Sequence, residues 1–435
     1  MIYGLTLIFV VPPLESPDEP DHLNYIDFIV RTNSLPNQNN PETFINKEGH
    51  QFPLYYLLSS SLLRLVNEDQ PVNIKILENK RVTKFGGYDT RVPIYNNVYN
   101  DPFVNTSSRN SFYVLRIFSL LLACITVLIS YKITGFFFEN HLYRYSCLFF
   151  IVTLPQFCFI SSMISNDNLS NLISALAILA ILKYLRAPGN ISNVMILGIV
   201  AGLGLITKKT FLFIFPVLII MNILMIYRKD ISFKKTILNF LIILVFILLI
   251  SGWWYYRNYT LYGEFFLTKT EMITAPFHVQ IKPLLSFYFI NPFIPGMFAS
   301  FVGVFGWMNM PLPVFTYFVY FFFFLLTLFG YIKTFPVLLK KHKNIFSFLL
   351  LVFCFGGIIY YNTMYSQFQG RFLFPVLSVM SVMMVMGYKY LNEKYSGIKY
   401  WKYLPYIVCS LFILIDIFSI IKALYFYYDQ SYYIN

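Results

Sequence analysis

Between Pro12 and Arg31 the chain reads P-P-L-E-S-P-D-E-P-D-H-L-N-Y-I-D-F-I-V-R, which sets Glu15, Asp18, Glu19, Asp21, His22 and Asp27 directly behind an apolar run. A carboxylate placed there can accept the proton of an incoming hydroxyl while a neighbour or His22 orients it. Asp18 and Glu19 are the candidates for that base, and Glu19 and His22 fall three residues apart on one helix face. A plainer reading, a helix cap with solvated loop acids, stays open beside it.

The second group is cationic. Lys208 and Lys209, Arg257 and Arg371 each interrupt or closely follow apolar sequence. Such a charge costs about 2.5–3.5 kcal/mol at the centre of a bilayer and less near its edge, and an anion beside it offsets that cost. Arg371, with its planar fork, and Lys208 or Lys209 suit a phosphate or diphosphate. Fixed cations also stabilise a departing phosphate without a strong general acid. Contact with anionic lipid headgroups is the alternative.

His50, in E-G-H-Q-F-P-L-Y-Y-L-L, is either a solvated loop histidine or a substrate contact. Asp167, in S-N-D-N, either caps the following span or supplies a second acid. With Asp18 or Glu19 it would suit a hard divalent cation, although no D-x-D pattern accompanies it. Trp253, Trp254, Tyr255 and Tyr256 fit an interfacial aromatic belt, and a sugar ring can stack on the same surface.

These residues need elements to hold them, and composition says what kind. Of the 435 residues 57% are hydrophobic and 12% charged, with a mean hydropathy of +0.61. Repeated apolar runs of about 20 residues predict an all-α polytopic membrane protein. The net charge of +13 does not indicate nucleic acid, because Lys and Arg sit in short clusters between the runs. Cys124, Cys147, Cys158, Cys354 and Cys409 lie in apolar runs without C-x-x-C spacing, which speaks against a disulfide framework or a zinc site.

The apolar start, Met1 to Val11, lacks a basic leader and a small-residue cleavage site, so no cleavable signal is expected. It is short for a span and implies a tilted helix or a start further upstream. Further spans are expected near 112–131, 146–165, 169–186, 193–207, 210–227, 236–256, 313–332, 345–362, 372–388 and 403–425, about eleven in all. The chain then forms one transmembrane domain, 1–435, with a first long outward loop at 14–111 and a second at 257–312.

Two short helices are expected in the first loop. One starts at Asp18 as N-cap, with Pro20 in its first turn and Leu23, Ile26 and Ile29 on one face. The other, Phe52 to Val66, is too short to span. Lys132 and Arg144; Lys183 and Arg186; Arg228, Lys229, Lys234 and Lys235; Lys333, Lys340, Lys341 and Lys343; and Lys389, Lys394, Lys399 and Lys402 fall in alternate loops and mark them cytoplasmic. The acidic stretch then faces outward.

Several of these stretches resemble the GT-C superfamily of polyprenyl-phosphate-dependent glycosyltransferases, the class of protein O-mannosyltransferases and aminoarabinose transferases. Pro17 to His22 is similar to the P-D-E-P-x-H motif of bacterial members, and His50 to Leu57 to their H-x-P-L-Y-Y segment. Ser165 to Leu169, Gly202 to Thr210, Trp254 to Gly263 and Gln369 to Pro375 follow in the usual order. The resemblance implies a GT-C bundle in a bacterial plasma membrane and a sugar donor on a polyprenyl phosphate. By motif position it makes Asp18 or Glu19 the base and Lys208 and Arg371 candidates for the donor phosphate; His22, His50, Lys209 and Arg257 are expected, beside the resemblance, as further substrate contacts.

The expected activity is transfer of the sugar to an acceptor hydroxyl of a glycan, lipid or protein at the outer membrane surface. A lipid-sugar transporter would place charges deep in several spans and break helices at the midplane, whereas here they gather at span ends. A glycan ligase or polymerase shares the outward cations and stays as a further alternative.

Overall fold

The computed structural model describes residues 2–66, 72–75, 79, 82, 92–95, 98, 101–274, 280–398 and 403–432. Lys399 and Lys402, and much of 67–100 in the first loop, lie outside them. Every apolar stretch expected to span is helical, but not every one is long enough to cross.

The chain opens with α1 (Ile2–Val10), α2 (Glu19–Thr32) and α3 (Leu54–Leu65). The long α4 (Thr106–Thr134) follows, then α5 (His141–Val152) and α6 (Pro155–Ser161), bent by 66° against each other. Pro155 starts α6 where it lacks an N–H to bond backward, so the helix restarts in a new direction. Next come α7 (Asn166–Arg186), α8 (Ile191–Leu205), α9 (Ile214–Tyr227), α10 (Phe233–Tyr262) and α11 (Thr268–Thr274). The second half holds α12 (Phe293–Val302), a hairpin of β1 (Val304–Phe305) and β2 (Met310–Pro311), α13 (Val314–Leu338), α14 (His342–Asn362), α15 (Leu377–Tyr395) and α16 (Leu404–Tyr428).

Among the described residues eight helices are long and apolar enough to cross a membrane, or nine if the bent pair α5–α6 is one span. The expected eleven included α1 and α8. At 9 and 15 residues they reach roughly 14 and 22 Å at 1.5 Å per residue, short of a hydrocarbon core of about 30 Å. The protein is thus an all-α polytopic integral membrane protein, in which α8, though short, returns from the end of α7 at Arg186 to its first turn, where Lys208 meets Asp167.

The bundle is organised around α7, 83% buried along its apolar window, whereas α10 and α16 are 22% buried and present large apolar side chains outward. That outward face is what a helix exposes to lipid. Buried packing around α7 is close. Gly198 and Gly202 of α8 let Ile243, Phe246 and Ile250 of α10 approach to contact, and a Cβ on Gly387 of α15 would lie 1.8 Å from the Thr327 carbonyl of α13.

The spans alternate in direction, so the basic clusters gather at the end opposite the acidic stretch. Contacts there tie the loops together: Asp230 faces His342 at 2.6 Å and Arg228 donates to the Lys340 carbonyl at 3.0 Å. Short α2 and α3 pack at the other end, as their length requires. Leu23, Ile26 and Ile29 do share one face of α2, but that face is buried in the protein core with Tyr55, Tyr56 and Phe112 instead of lying on lipid.

Candidate active site

Four ionised side chains from distant parts of the chain meet at the end of the bundle opposite the basic loops. Arg371 donates to Asp18 at 2.5 Å and lies 3.3 Å from Asp167. Lys208 pairs with Asp167 and donates to Asn166 Oδ1 at 3.1 Å. All four stand at helix N-termini. Asp18 precedes α2, and Asp167 lies in the first turn of α7, whose N-cap is Ser165. Lys208 precedes the 3-10 turn Lys209–Phe213 that leads into α9, and Arg371 lies in the 3-10 turn Gly370–Val376 that leads into α15.

The tight turns hold the two cations at the mouths of their spans instead of in mid-membrane, and the converging N-termini add partial positive charge. The combination favours an anion. Asp18 and Asp167 already neutralise Lys208 and Arg371, so an incoming anion must displace a carboxylate. The buried Arg371 Nε has no protein partner among the described residues.

Asp18 occupies the N-cap position of α2 but does not cap it. Its backbone is left-handed, φ 63° and ψ −2°, and no cap hydrogen bond reaches its side chain. The expected cap is lost because the carboxylate turns to Arg371. Aspartate tolerates this conformation better than most residues. Burial alone would push its carboxyl up, but Arg371 beside it, with His22 and Lys208 behind, holds it at about 2.

His22 belongs to the same cluster, with Nδ1 2.9 Å from the Tyr56 hydroxyl. Burial pushes its ring down to about 4; Lys208 and Arg371 act in the same direction, and Asp18 and Asp167 oppose them. The ring is neutral at physiological pH, so Arg371 is the group that holds Asp18 ionised. Tyr56 stacks on Tyr25 at 3.9 Å between ring centroids, and Asn166 Nδ2 lies 3.3 Å from the Tyr56 hydroxyl. The H-Q-F-P-L-Y-Y-L segment thus orients His22 and the Asn166–Asp167 turn.

Glu19 is placed elsewhere. It is fully buried against Arg116 of α4, whose Nε and Nη2 reach the two carboxylate oxygens at 2.9 and 2.8 Å. The backbone N–H groups of Leu14 and Ile164 fill the remaining acceptor sites, each at 3.1 Å. Arg116 spends its other donors on the carbonyls of Ile8, Val11 and Pro12. Glu19 has no room to accept a substrate proton; it pins the first loop to α1, α4 and α7. Glu19 and His22 stand three residues apart on α2, as their spacing predicts, but the two side chains go to different partners.

The other expected contacts also separate. Lys209 turns away from Lys208 to Glu271 Oε2 at 3.2 Å and the Thr268 hydroxyl at 2.9 Å, on α11. His50 joins that second group through Thr274 at 3.1 Å, and Tyr361 donates to Glu271 at 3.2 Å. Arg257 donates to the Pro36 carbonyl at 2.7 Å and packs its guanidinium 5.4 Å from the Trp254 ring centroid. With Tyr262 on the Gln38 N–H and Asn39 on the Leu261 carbonyl, the end of α10 anchors the loop after α2. Arg257, expected as a substrate contact, clamps this loop through its backbone carbonyls.

Two residues were not foreseen, Arg116 behind the site and Glu48 beside it. Arg116 carried a signal, a lone charge inside an apolar span, which requires a partner. Glu48 lies on the 3-10 turn Glu48–His50, part-exposed. Burial first, then Asp18 and Asp21, push its carboxyl up, against Lys208 and Arg371. Its sequence signal was only its place two residues before His50.

Among the described residues no group of three or more His, Cys, Asp or Glu side chains gathers to hold a metal ion. Asp167, with Asp18, was the candidate ligand. The Arg371 guanidinium bridges these two carboxylates, so a divalent ion there would have to displace it.

Solved structures of other proteins share this fold. ArnT from Cupriavidus metallidurans bound to undecaprenyl phosphate superposes with a TM-score of 0.54 at 9% identity, over 99% of this chain and 74% of that one. Its apo state gives 0.59 at 9%, over 99% and 76%. The Archaeoglobus fulgidus oligosaccharyltransferase in complex with Zn and sulfate gives 0.53 at 14%, over 99% of this chain and 52% of its own. At such identities the likeness is one of fold. No curated protein matches the sequence. The chain belongs to the family described as Predicted membrane protein (DUF2142), which matches residues 1–380.

Proposed function

We propose that the protein is a glycosyltransferase that moves a sugar from a polyprenyl-phosphate carrier to an acceptor hydroxyl at the outer surface of a bacterial plasma membrane. The observation that carries this reading is the meeting of Asp18, Asp167, Lys208 and Arg371 at converging helix N-termini. The fold shared with a protein bound to undecaprenyl phosphate supports the same class of donor. The basic loops at the other end of the bundle support an outward site, with residues 14–111 and 257–312 as the outward loops.

In this reading the donor phosphate takes Arg371 and Lys208 as its ligands. The acceptor oxygen attacks the anomeric carbon, the bond from that carbon to the phosphate oxygen breaks, and the polyprenyl phosphate leaves with the electron pair. Arg371 and Lys208 hold its added charge. The acceptor proton passes to Asp18, with neutral His22 beside it.

A carboxylate held at about 2 by Arg371 is a poor base. It becomes competent once the phosphate draws Arg371 away, so donor binding and base activation are one event. The discriminating experiment offers the purified protein a panel of polyprenyl-phosphate sugars and nucleotide sugars. Consumption of a polyprenyl-phosphate sugar is expected; consumption of nucleotide sugars alone contradicts the proposal.

A further inference from the structure

Backbone strain gathers on the rim of this site. Leu14 (φ 70°), Asp18 (φ 63°), Lys47 (φ 58°) and Met308 (φ 64°) all have left-handed φ without being glycine. This conformation is disfavoured for most residues with a Cβ, and strain of this kind persists where the surroundings over-determine it, commonly at ligand sites.

The four belong to one place. The β1–β2 hairpin turns through Gly306, at φ 60°, and Met308, and thereby pushes Trp307 against the first loop. The indole N–H donates to the Leu14 carbonyl at 3.0 Å. Lys47 Nζ stands 5.8 Å from the centroid of that ring and 3.0 Å from Asp21 Oδ2. Asp21 lies in the same first turn of α2 that Asp18 precedes, and Glu48 follows Lys47.

The N–H bond engages the edge of the indole and fixes its plane, while the residue stays half-buried. Beside it stands the Lys47 ammonium, paired with Asp21 on a side chain that is 34% exposed, and Glu48 follows Lys47 in the chain. This combination suits a sugar ring, whose C–H face packs on the flat apolar indole and whose hydroxyls donate to carboxyl groups and accept from an ammonium.

We infer that Trp307, Lys47, Asp21 and Glu48 form a sugar-ring subsite on the rim of the ionised cluster, an inference that rests on the glycosyl-transfer reading. Its occupant is a pyranose or furanose ring, supplied either by the donor or by a carbohydrate acceptor.

The test uses the full chain in nanodiscs, with Trp307→Ala and Trp307→Phe beside the wild type. The probes are undecaprenyl phosphate and the undecaprenyl-phosphate sugar that the wild type consumes. If the donor's sugar fills the subsite, Trp307→Ala binds the sugar-bearing lipid about tenfold more weakly, the scale of one aromatic contact, and binds undecaprenyl phosphate as before. If an acceptor sugar fills it, both lipids bind unchanged and the acceptor KM rises about tenfold instead. In either case Trp307→Phe, which keeps a ring and loses the N–H, retains most of the affinity.

Wild-type behaviour of Trp307→Ala throughout overturns the subsite. So does a loss in Trp307→Phe equal to that in Trp307→Ala, which would make Trp307 only an anchor for Leu14. Failure of undecaprenyl phosphate to bind the wild type defeats the transferase reading itself, and the subsite with it.

Discussion

Asp18 and Arg371, 353 residues apart in sequence, meet at 2.5 Å, with the Arg371 side chain 6% exposed and that of Asp18 33% exposed. The pair occupies the groups that the proposed chemistry would use separately, one as base and one as phosphate ligand. In that chemistry donor phosphate and Asp18 would compete for one guanidinium.

That competition makes Asp18→Asn informative. It removes the charge that holds Arg371 but leaves a residue that also tolerates the left-handed backbone. The variant should bind undecaprenyl phosphate about tenfold more tightly than wild type, the equivalent of one weak ion pair, while transfer falls by about 10²-fold or more. Isothermal titration and a transfer assay on the same preparation measure both. Weaker binding in the variant would contradict the competition.

Arg371→Lys retains charge and loses the planar fork that spans Asp18 and Asp167. An ammonium cannot bridge both carboxylates in the same geometry. The donor KM should rise about tenfold or more, corresponding to about 1.4 kcal/mol of lost phosphate binding. Unchanged donor kinetics would detach Arg371 from the donor.

Glu19→Gln tests structure against chemistry. It leaves Arg116 buried without its counter-charge, and breaking a buried pair from one side costs about 3–5 kcal/mol. The expected result is a lower Tm in detergent, with the protein that remains folded keeping the wild-type pH–rate profile. An unaltered Tm with lost turnover would return Glu19 to the chemistry.

Glu15 predicts a pH dependence of stability. It is buried beside the first loop, accepts the Tyr95 N–H at 2.6 Å, and is pushed up to about 8, first by burial, with the Tyr95 and Ile94 N–H groups opposing. Its folded value lies above the unfolded one, so the folded state keeps a proton that the unfolded state has lost. Its contribution is complete below about pH 4.5 and is lost as pH rises toward 8. Tm should therefore decline across that window, and the decline should shrink in Glu15→Gln. A decline of equal size in that variant would assign it to other groups.

The sequence made the outline of this site legible because charges are rare here and each needs a reason. Asp18, Asp167, Lys208 and Arg371 stood out at span ends, and they do converge. What it hid was partnership. Asp18 and Glu19 are adjacent in the chain, yet one faces the cluster and the other Arg116, because a left-handed Asp18 reverses the chain just before α2. Lys208 and Lys209 diverge for a similar local reason, the 3-10 turn that starts between them. Arg257 looked like a site cation, but its partners are carbonyls, which carry no residue-type signal. The apolar runs located the helices but not the bend inside one of them, as the α5–α6 break shows.

The central claim is that this cluster works on a polyprenyl-phosphate sugar. The most direct measurement mixes that lipid, labelled in its sugar, with wild type, Asp18→Asn and Arg371→Ala and follows the release of polyprenyl phosphate. The account predicts release by the wild type and a loss of about 10²-fold or more in both variants. Release at the wild-type rate by both variants would contradict it.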